Sequence, residues 1–273
     1  MVNLKMTKPN NNLHTFVILA YKESPFLEDC IKSVLHQTNN SLAQIATTTP
    51  NQHIKTLAQK YNLPIIEGNH ANIGSDFDFA IHSATTPLIT VAHQDDIYNE
   101  DYSKQIINTY KKHPTSSIIF TNYYEIRLGQ KVYTNSLLKI KRILLTPFHI
   151  KKSLKSKFSK RSILRFGNPI CCPSVTFVVK NCPKNIFKSH YKCNVDWHAW
   201  ESLSRYQGSF TYINQPLMGH RISENSTTTD IINQGIRTKE DYEIFKRFWP
   251  APIAKILTKL YQQSEKSNSL KSE

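Results

Sequence analysis

Residues 87–98 read P-L-I-T-V-A-H-Q-D-D-I-Y, an apolar run rich in Leu88, Ile89 and Val91 that stops at two adjacent carboxylates, Asp95 and Asp96. A short apolar run entered through Pro87 reads as a buried central strand of a parallel sheet. In open α/β sheets ligands bind outside the carboxyl ends of the strands, so acids just past such an end point into a site rather than into bulk water. Two neighbouring like charges repel unless a cation or a hydroxyl-rich ligand sits between them. The plain alternative for a bare Asp-Asp pair is a solvated turn ahead of Asn99, Glu100 and Asp101.

Working outward toward the N-terminus, residues 14–21 (H-T-F-V-I-L-A-Y) form a second apolar run. Ser24 and Pro25 supply an N-cap and a first-turn proline. Leu27, Ile31, Val34 and Leu35 then recur at helical spacing, with Glu28 and Asp29 in the first turn. A weaker strand at 44–47, a helix carrying Ile54, Leu57, Ala58 and Tyr61, a short strand at 64–67 and a helix carrying Phe77, Ala80, Ile81 and Ala84 lead back into the run at 87. Strands alternating with helices imply a parallel sheet with right-handed crossovers, and hence an α/β fold. Toward the C-terminus the pattern predicts a helix at 100–112, strands at 117–127 and 172–180, a helix at 196–206 and a strand at 209–220. Two helices at 238–249 and 251–262 are split by Pro250, and residues 264–273 have a disordered composition.

With 273 residues the chain can bury one large domain or a domain with a small appendage. No apolar stretch approaches the roughly 18–20 residues needed to span a bilayer, and residues 1–13 are polar rather than a signal peptide, so a cytoplasmic protein is expected. The five cysteines lack paired C-x-x-C spacing, which fits reduced thiols better than a disulfide framework or a zinc site. The net charge of +15 is unevenly placed: no Asp or Glu occurs from 126 to 195 while sixteen Lys or Arg do, and outside that stretch 19 basic face 20 acidic residues. A basic middle of this kind faces something anionic: nucleic acid, lipid headgroups or a phosphorylated substrate.

Four segments, in order, carry a resemblance. V-I-L-A-Y-K-E-S-P-F-L-E-D-C-I-K-S-V-L-H-Q-T at 17–38 resembles the opening of family 2 glycosyltransferases, with Tyr21, Glu23, Leu27, Ser33, Gln37 and Thr38 on the pattern and Ala20 and Lys22 off it. A-H-Q-D-D-I-Y resembles the family's D-x-D-D element, with His93 where many members have the first aspartate. N-V-D-W-H-A-W at 194–200 is similar to its E-D-x-x-x-W motif, with Val195 in place of the glutamate. P-L-M-G-H-R-I-S-E-N-S-T at 216–227 resembles the closing segment, with Ser223 where a histidine is frequent. The nearest branch is that of capsule and exopolysaccharide synthesis.

The resemblance implies a GT-A fold: a Rossmann-like, mostly parallel sheet flanked by helices. It would occupy 1–230, with a donor half at about 13–127, a basic loop at 128–166 and an acceptor half at about 167–230, followed by a C-terminal helical tail at 231–273. It implies transfer from a nucleotide-sugar donor, with Mg²⁺ or Mn²⁺ on Asp96 and Asp95 and Asp196 as general base. Leu19, Ala20, Tyr21, Glu23, Asp78, Asp95, His220 and Arg221 would line the donor, Arg221 being suited to bidentate phosphate contact. Thr47, Thr48 and Thr49 stand where many members read uracil with an aspartate, so the donor nucleotide stays open. Asp196 could instead cap its helix, Tyr21 could simply pack under its loop, and Glu201 reads as a surface acid.

In the basic tract, Lys and Arg alternate with Ile143, Leu144, Leu145, Phe148, Leu154, Phe158, Ile163 and Leu164. Cations among aliphatic groups suit an interfacial segment, so Lys151, Lys152, Lys155 and Lys157 are expected to meet an anionic membrane surface or the acceptor. The leading reading is a glycosyltransferase, peripheral on the inner face of the cell membrane, acting on a saccharide or lipid-linked oligosaccharide acceptor. A nucleic-acid-binding protein would explain the charge but not Asp95 and Asp96, and no recognised binding motif is present. A nucleotidyltransferase would show a Gly-rich phosphate loop after the first strand, where this chain has A-Y-K-E-S-P.

Overall fold

The structure is a computed structural model and describes residues 12–69, 71–222 and 235–266. Ser223, the boundary expected at 230, residues 1–11 and residues 267–273 lie outside the described residues. The N-terminal half alternates as expected: β1 (His14–Ala20), α1 (Leu27–Leu35), β2 (Leu42–Thr47), α2 (Gln52–Lys60), β3 (Ile65–Glu67), α3 (Ile73–His82) and β4 (Leu88–His93). Parallel ladders join β3, β2, β1 and β4, so β4 is central and buried on both faces. Its run ends at His93, and the two aspartates sit in the following turn before the two-residue β5 (Ile97–Tyr98).

After α4 (Tyr102–Lys112) come β6 (Ser116–Arg127), β7 (Gln130–Val132), α5 (Ser136–Leu144), α6 (Pro147–Ile150), β8 (Ser153–Leu154) and α7 (Lys157–Ser162). The chain continues through β9 (Val175–Val178), α8 (Val195–Leu203), β10 (Ser209–Ile222), α9 (Ile236–Phe245) and α10 (Ala251–Lys266). The sheet order is β3-β2-β1-β4-β9-β6-β10-β5. The long ladders are parallel, and β9 joins the two parallel blocks by running antiparallel to both β4 and β6. β9 is shorter than the 172–180 run suggests because Pro173 starts a 3-10 turn at Cys172–Ser174.

Two elements differ from the sequence reading. Ser24 and Pro25 lie in a turn ahead of α1, whose N-cap position is Phe26. Lys22 there has φ 53°, and its amide donates to the Thr49 hydroxyl at 2.6 Å, so the threonine run braces this turn.

The basic tract is not a loop lying on a surface but three helices and a strand packed into the core. Leu145, Phe148, Leu154, Ile163 and Leu164 are buried with the inner faces of β6, β9 and α8 in one apolar cluster. Burying them removes apolar area from water without a bilayer, at about 25 cal/mol per Å². Lys160 is buried too, donating to the carbonyls of Tyr206 and Gly208. Lys151, Lys152, Lys155 and Lys157 remain exposed.

Candidate active site

The turn after β4 is closed by a bond from the Asp96 amide to the His93 carbonyl at 3.2 Å. The Asp96 side chain is fully buried, and the end of β10 comes to it. The Arg221 amide donates to Asp96 Oδ1 at 2.8 Å, and His220 Nδ1 lies 3.1 Å from Oδ1 and 3.3 Å from Oδ2. Arg221 donates through Nε to the Asp95 carbonyl at 2.9 Å and stacks on the Phe26 ring at 4.0 Å. Strand β10 therefore fixes one aspartate by its backbone and the turn by its arginine. The Arg221 guanidinium serves the protein here, with Asp29 3.9 Å away.

The electrostatics separate the members of this cluster. Burial, with Asp96 beside it, pushes the Asp95 carboxyl up to about 6. Burial lowers the His93 imidazole to about 4 against the pull of Asp96. Burial also works against a charged His220, but Asp96 and Asp95 outweigh it, and its pKa ends above the ordinary value. His220 thus neutralises Asp96, and Asp95 is left short of a cation.

One donor atom each from His93, Asp95 and Asp96 lies within 4.8 Å of the others. His93 Nε2 is buried with no hydrogen-bond partner. An orphaned ring nitrogen beside a carboxylate whose proton is held by crowding is the donor set expected of a divalent-cation site, so these residues fit Mg²⁺ or Mn²⁺. Asp96, already bound by His220 and Arg221, has less freedom to coordinate than Asp95.

Asp196 stands in the first turn of α8. It does not cap the helix in the usual way, since the N-cap position is Asn194. Its Oδ1 accepts from the Trp197 amide at 2.7 Å and its Oδ2 from Asn168 Nδ2 at 2.8 Å. Burial raises its pKa against those two bonds. The start of α8 is fixed from outside by Glu240 of α9, whose carboxylate accepts from the amides of Lys192, Cys193 and Asn194. Both Asp96 and Asp196 add to the effect of burial in raising the thiols of Cys171 and Cys172.

The remaining expectations divide. Tyr21 adjoins the cluster through its backbone: its amide donates to Gln94 Oε1 at 3.0 Å and its carbonyl accepts from Gln94 Nε2 at 2.9 Å. Ala20 is buried at the end of β1, Leu19 is half-buried and packs on the core, and Glu23 is exposed. Asp78 accepts from the amides of Ile186 and Phe187 and so anchors a loop. Glu201 is a correction. It is buried, not a surface acid, and binds Arg161, Arg205 and Arg247. Trp197 and Trp200 are both fully buried core residues.

Gln94, Asn168 and Cys171 carry no local signal, because their partners lie far along the chain; only the turn-and-loop setting of Gln94 beside the acids could have marked it. A cavity of about 710 Å³ lies elsewhere, where Lys111, Lys112 and Lys152 meet Tyr212 and Asn214.

The paired acids stand just past the carboxyl end of the central strand, the place where open α/β sheets bind ligands. The sequence profile of glycosyl transferase family 2 matches residues 15–180, more than half of the chain, and the chain belongs to that family. Asp196, His220 and Arg221 lie beyond the matched segment. Among solved structures, S. aureus TarS 1-349 in complex with UDP-GlcNAc superposes with a TM-score of 0.59 at 13% identity, covering 94% of this chain and 73% of that one. S. aureus TarS 1-349 in complex with UDP gives 0.58 at 11% identity over 94% and 72%. At such identity the shared property is the fold, which is GT-A. No curated protein matches the chain by sequence.

Proposed function

We propose that this family 2 protein transfers a sugar from a nucleotide-sugar donor to a saccharide acceptor, carried on a lipid diphosphate, in capsular or exopolysaccharide synthesis. The observation that carries the reading is the cluster of His93, Asp95, Asp96 and His220 at the end of the central strand, within a chain of the glycosyl transferase family 2. TarS, of the same fold, has been solved with UDP and with UDP-GlcNAc, which supports a uridine-diphosphate sugar as the donor class.

In this reading the loop after β1, clamped by Gln94, lies against the nucleoside, with Leu19, Ala20, Tyr21 and Glu23 on the donor side. Asp95, Asp96 and His93 would hold Mg²⁺ or Mn²⁺, which when bound neutralises the charge developing on the leaving diphosphate. His220, whose pKa Asp96 draws upward, stands at the same end of the sheet, and Arg221 keeps the turn in place. Asp196 takes the proton of the acceptor hydroxyl; burial raises its basicity while Asn168 and the Trp197 amide hold its orientation. The exposed Lys151, Lys152, Lys155 and Lys157 face the anionic part of the acceptor or the inner surface of the membrane.

Two variants test the division of labour. Asp95→Ala should abolish the metal-dependent part of UDP binding in calorimetry with Mn²⁺, with far-ultraviolet dichroism unchanged. Asp196→Asn should lower turnover by about a hundredfold or more while UDP affinity stays level. Metal-dependent binding that survives Asp95→Ala, or a donor affinity that falls in Asp196→Asn, would overturn the corresponding role.

A further inference from the structure

Helices α5 and α10 approach each other at Gly167, which Leu144 of α5 and Tyr261 of α10 both flank. On α10 the inner face is Ala254 and Thr258, with Tyr261 against Trp197 and Phe245. Its outer face presents Ile253, Ile256 and Leu260, which are 43%, 59% and 56% exposed. These three recur at i, i+3 and i+7, so they form one stripe. On α5, Ile140 and Ile143 are 45% and 64% exposed, again one turn apart. Single exposed aliphatics are ordinary, but five branched ones on two adjoining helices mark an interaction surface.

The charges around the stripe select the partner. Lys139, Lys255 and Lys259 are exposed on the same two helices, and among the described residues none of them makes an ion pair. Neither α5 nor residues 251–263 of α10 contain an Asp or Glu. A second copy of this surface would set cations against cations in a chain of net charge +15. Anionic lipid headgroups with acyl chains beneath them complement both the lysines and the aliphatics.

The surface also borders the active site. Lys141 of α5 donates to the Tyr123 hydroxyl at 2.9 Å, and the Tyr123 ring lies edge-on to that of His220 with centroids 6.3 Å apart. We infer that the outer faces of α5 and α10 seat the protein on an anionic bilayer with its cleft at the headgroup level. The inference rests on the lipid-linked acceptor proposed above and moves bilayer contact from the apolar residues of the basic tract, most of which are buried, to Ile140, Ile143, Ile253, Ile256 and Leu260.

The test compares Ile256→Asp/Leu260→Asp with the wild type and with the variant in which Lys151, Lys152, Lys155 and Lys157 become Glu. Each is measured for sedimentation with phosphatidylglycerol-containing and with phosphatidylcholine vesicles, for UDP affinity and for thermal unfolding. The wild type should bind the anionic vesicles in a salt-sensitive way. The α10 double variant should bind them at least about tenfold more weakly, with UDP affinity and melting unchanged. Undiminished sedimentation of the α10 variant overturns the inference. If only the lysine variant is lost from the vesicles, the membrane reading stands and this surface is wrong. Absence of wild-type binding to any vesicle overturns the inference while UDP binding still judges the transferase reading. Dimeric wild type made monomeric by the α10 substitutions assigns the stripe to a second copy and likewise overturns it.

Discussion

Asn168 touches Asp196 through one hydrogen bond, and that bond favours the charged carboxylate. Removing it in Asn168→Ala should raise the Asp196 pKa further, because burial then acts with less opposition. A general base must be ionised, so the acid limb of kcat should move to higher pH, with UDP affinity unchanged; a pH profile of turnover measures this. Glu201 works on stability instead. Burial opposes its charge, but Arg205, Arg247 and Arg161 outweigh that and hold its pKa below the ordinary 4.5. A lowered carboxyl pKa contributes stability that is complete above about 4.5 and is lost as the pH falls through the folded value. Glu201→Gln leaves three arginines around a neutral amide and should cost about 3–5 kcal/mol at neutral pH, read from urea midpoints. The variant should also be spared part of the wild-type's loss of stability below about pH 4.5, since the group whose protonation contributes to it is gone.

At the scale of elements, α3 is the joint between the donor half and the 186–187 loop. Its start is a reciprocal cap, Asn72 accepting from the Ser75 amide while the Ser75 hydroxyl accepts from the Asn72 amide. One turn on, the helix meets the loop so closely that a Cβ on Gly74 would fall 2.4 Å from the Phe187 carbonyl oxygen. Asp78 draws that same backbone in by accepting from the Ile186 and Phe187 amides. Gly74→Ala must displace a fixed backbone and should destabilise by about 1–3 kcal/mol. Asp78→Ala strands two amides and should cost a similar amount, about 1–3 kcal/mol, without changing UDP affinity. Because both hold one loop, the double variant should lose less than the two single losses added together, which a double-mutant cycle in urea would show.

On the scale of the whole molecule, α9 and α10 are structural partners of the site rather than an appendage. Ile244, Phe245 and Ala254 belong to the apolar cluster that contains Trp197 and Trp200, and Glu240 clamps the entry to α8. Ending the chain at Ile222 would expose Trp197, release three amides ahead of Asp196 and remove the outer stripe of α10. Such a truncation should lose its cooperative thermal transition and its near-ultraviolet dichroism, whereas removing only 267–273 should change neither.

The alternation of apolar runs and amphipathic helices from His14 to His93, and the acids at the end of the central run, were legible because each is a local pattern: hydrophobic period and strand-end placement need no distant partner. Family membership was legible for the same reason, since its motifs are short and ordered along the chain. The partners of the buried acids come from contacts across great sequence separation. His220 reaches Asp96 across 124 positions, and Arg161 and Arg247 meet Glu201 across 40 and 46. A helix sequence looks the same whether its acid faces water or three arginines. The basic tract makes the point most sharply: alternating lysines and aliphatics fit a bilayer and a protein core equally well by composition. Only the packing against β6, β9 and α8 decides that Phe148 and Ile163 face inward while Ile143, Ile150 and Phe158 stay exposed to water.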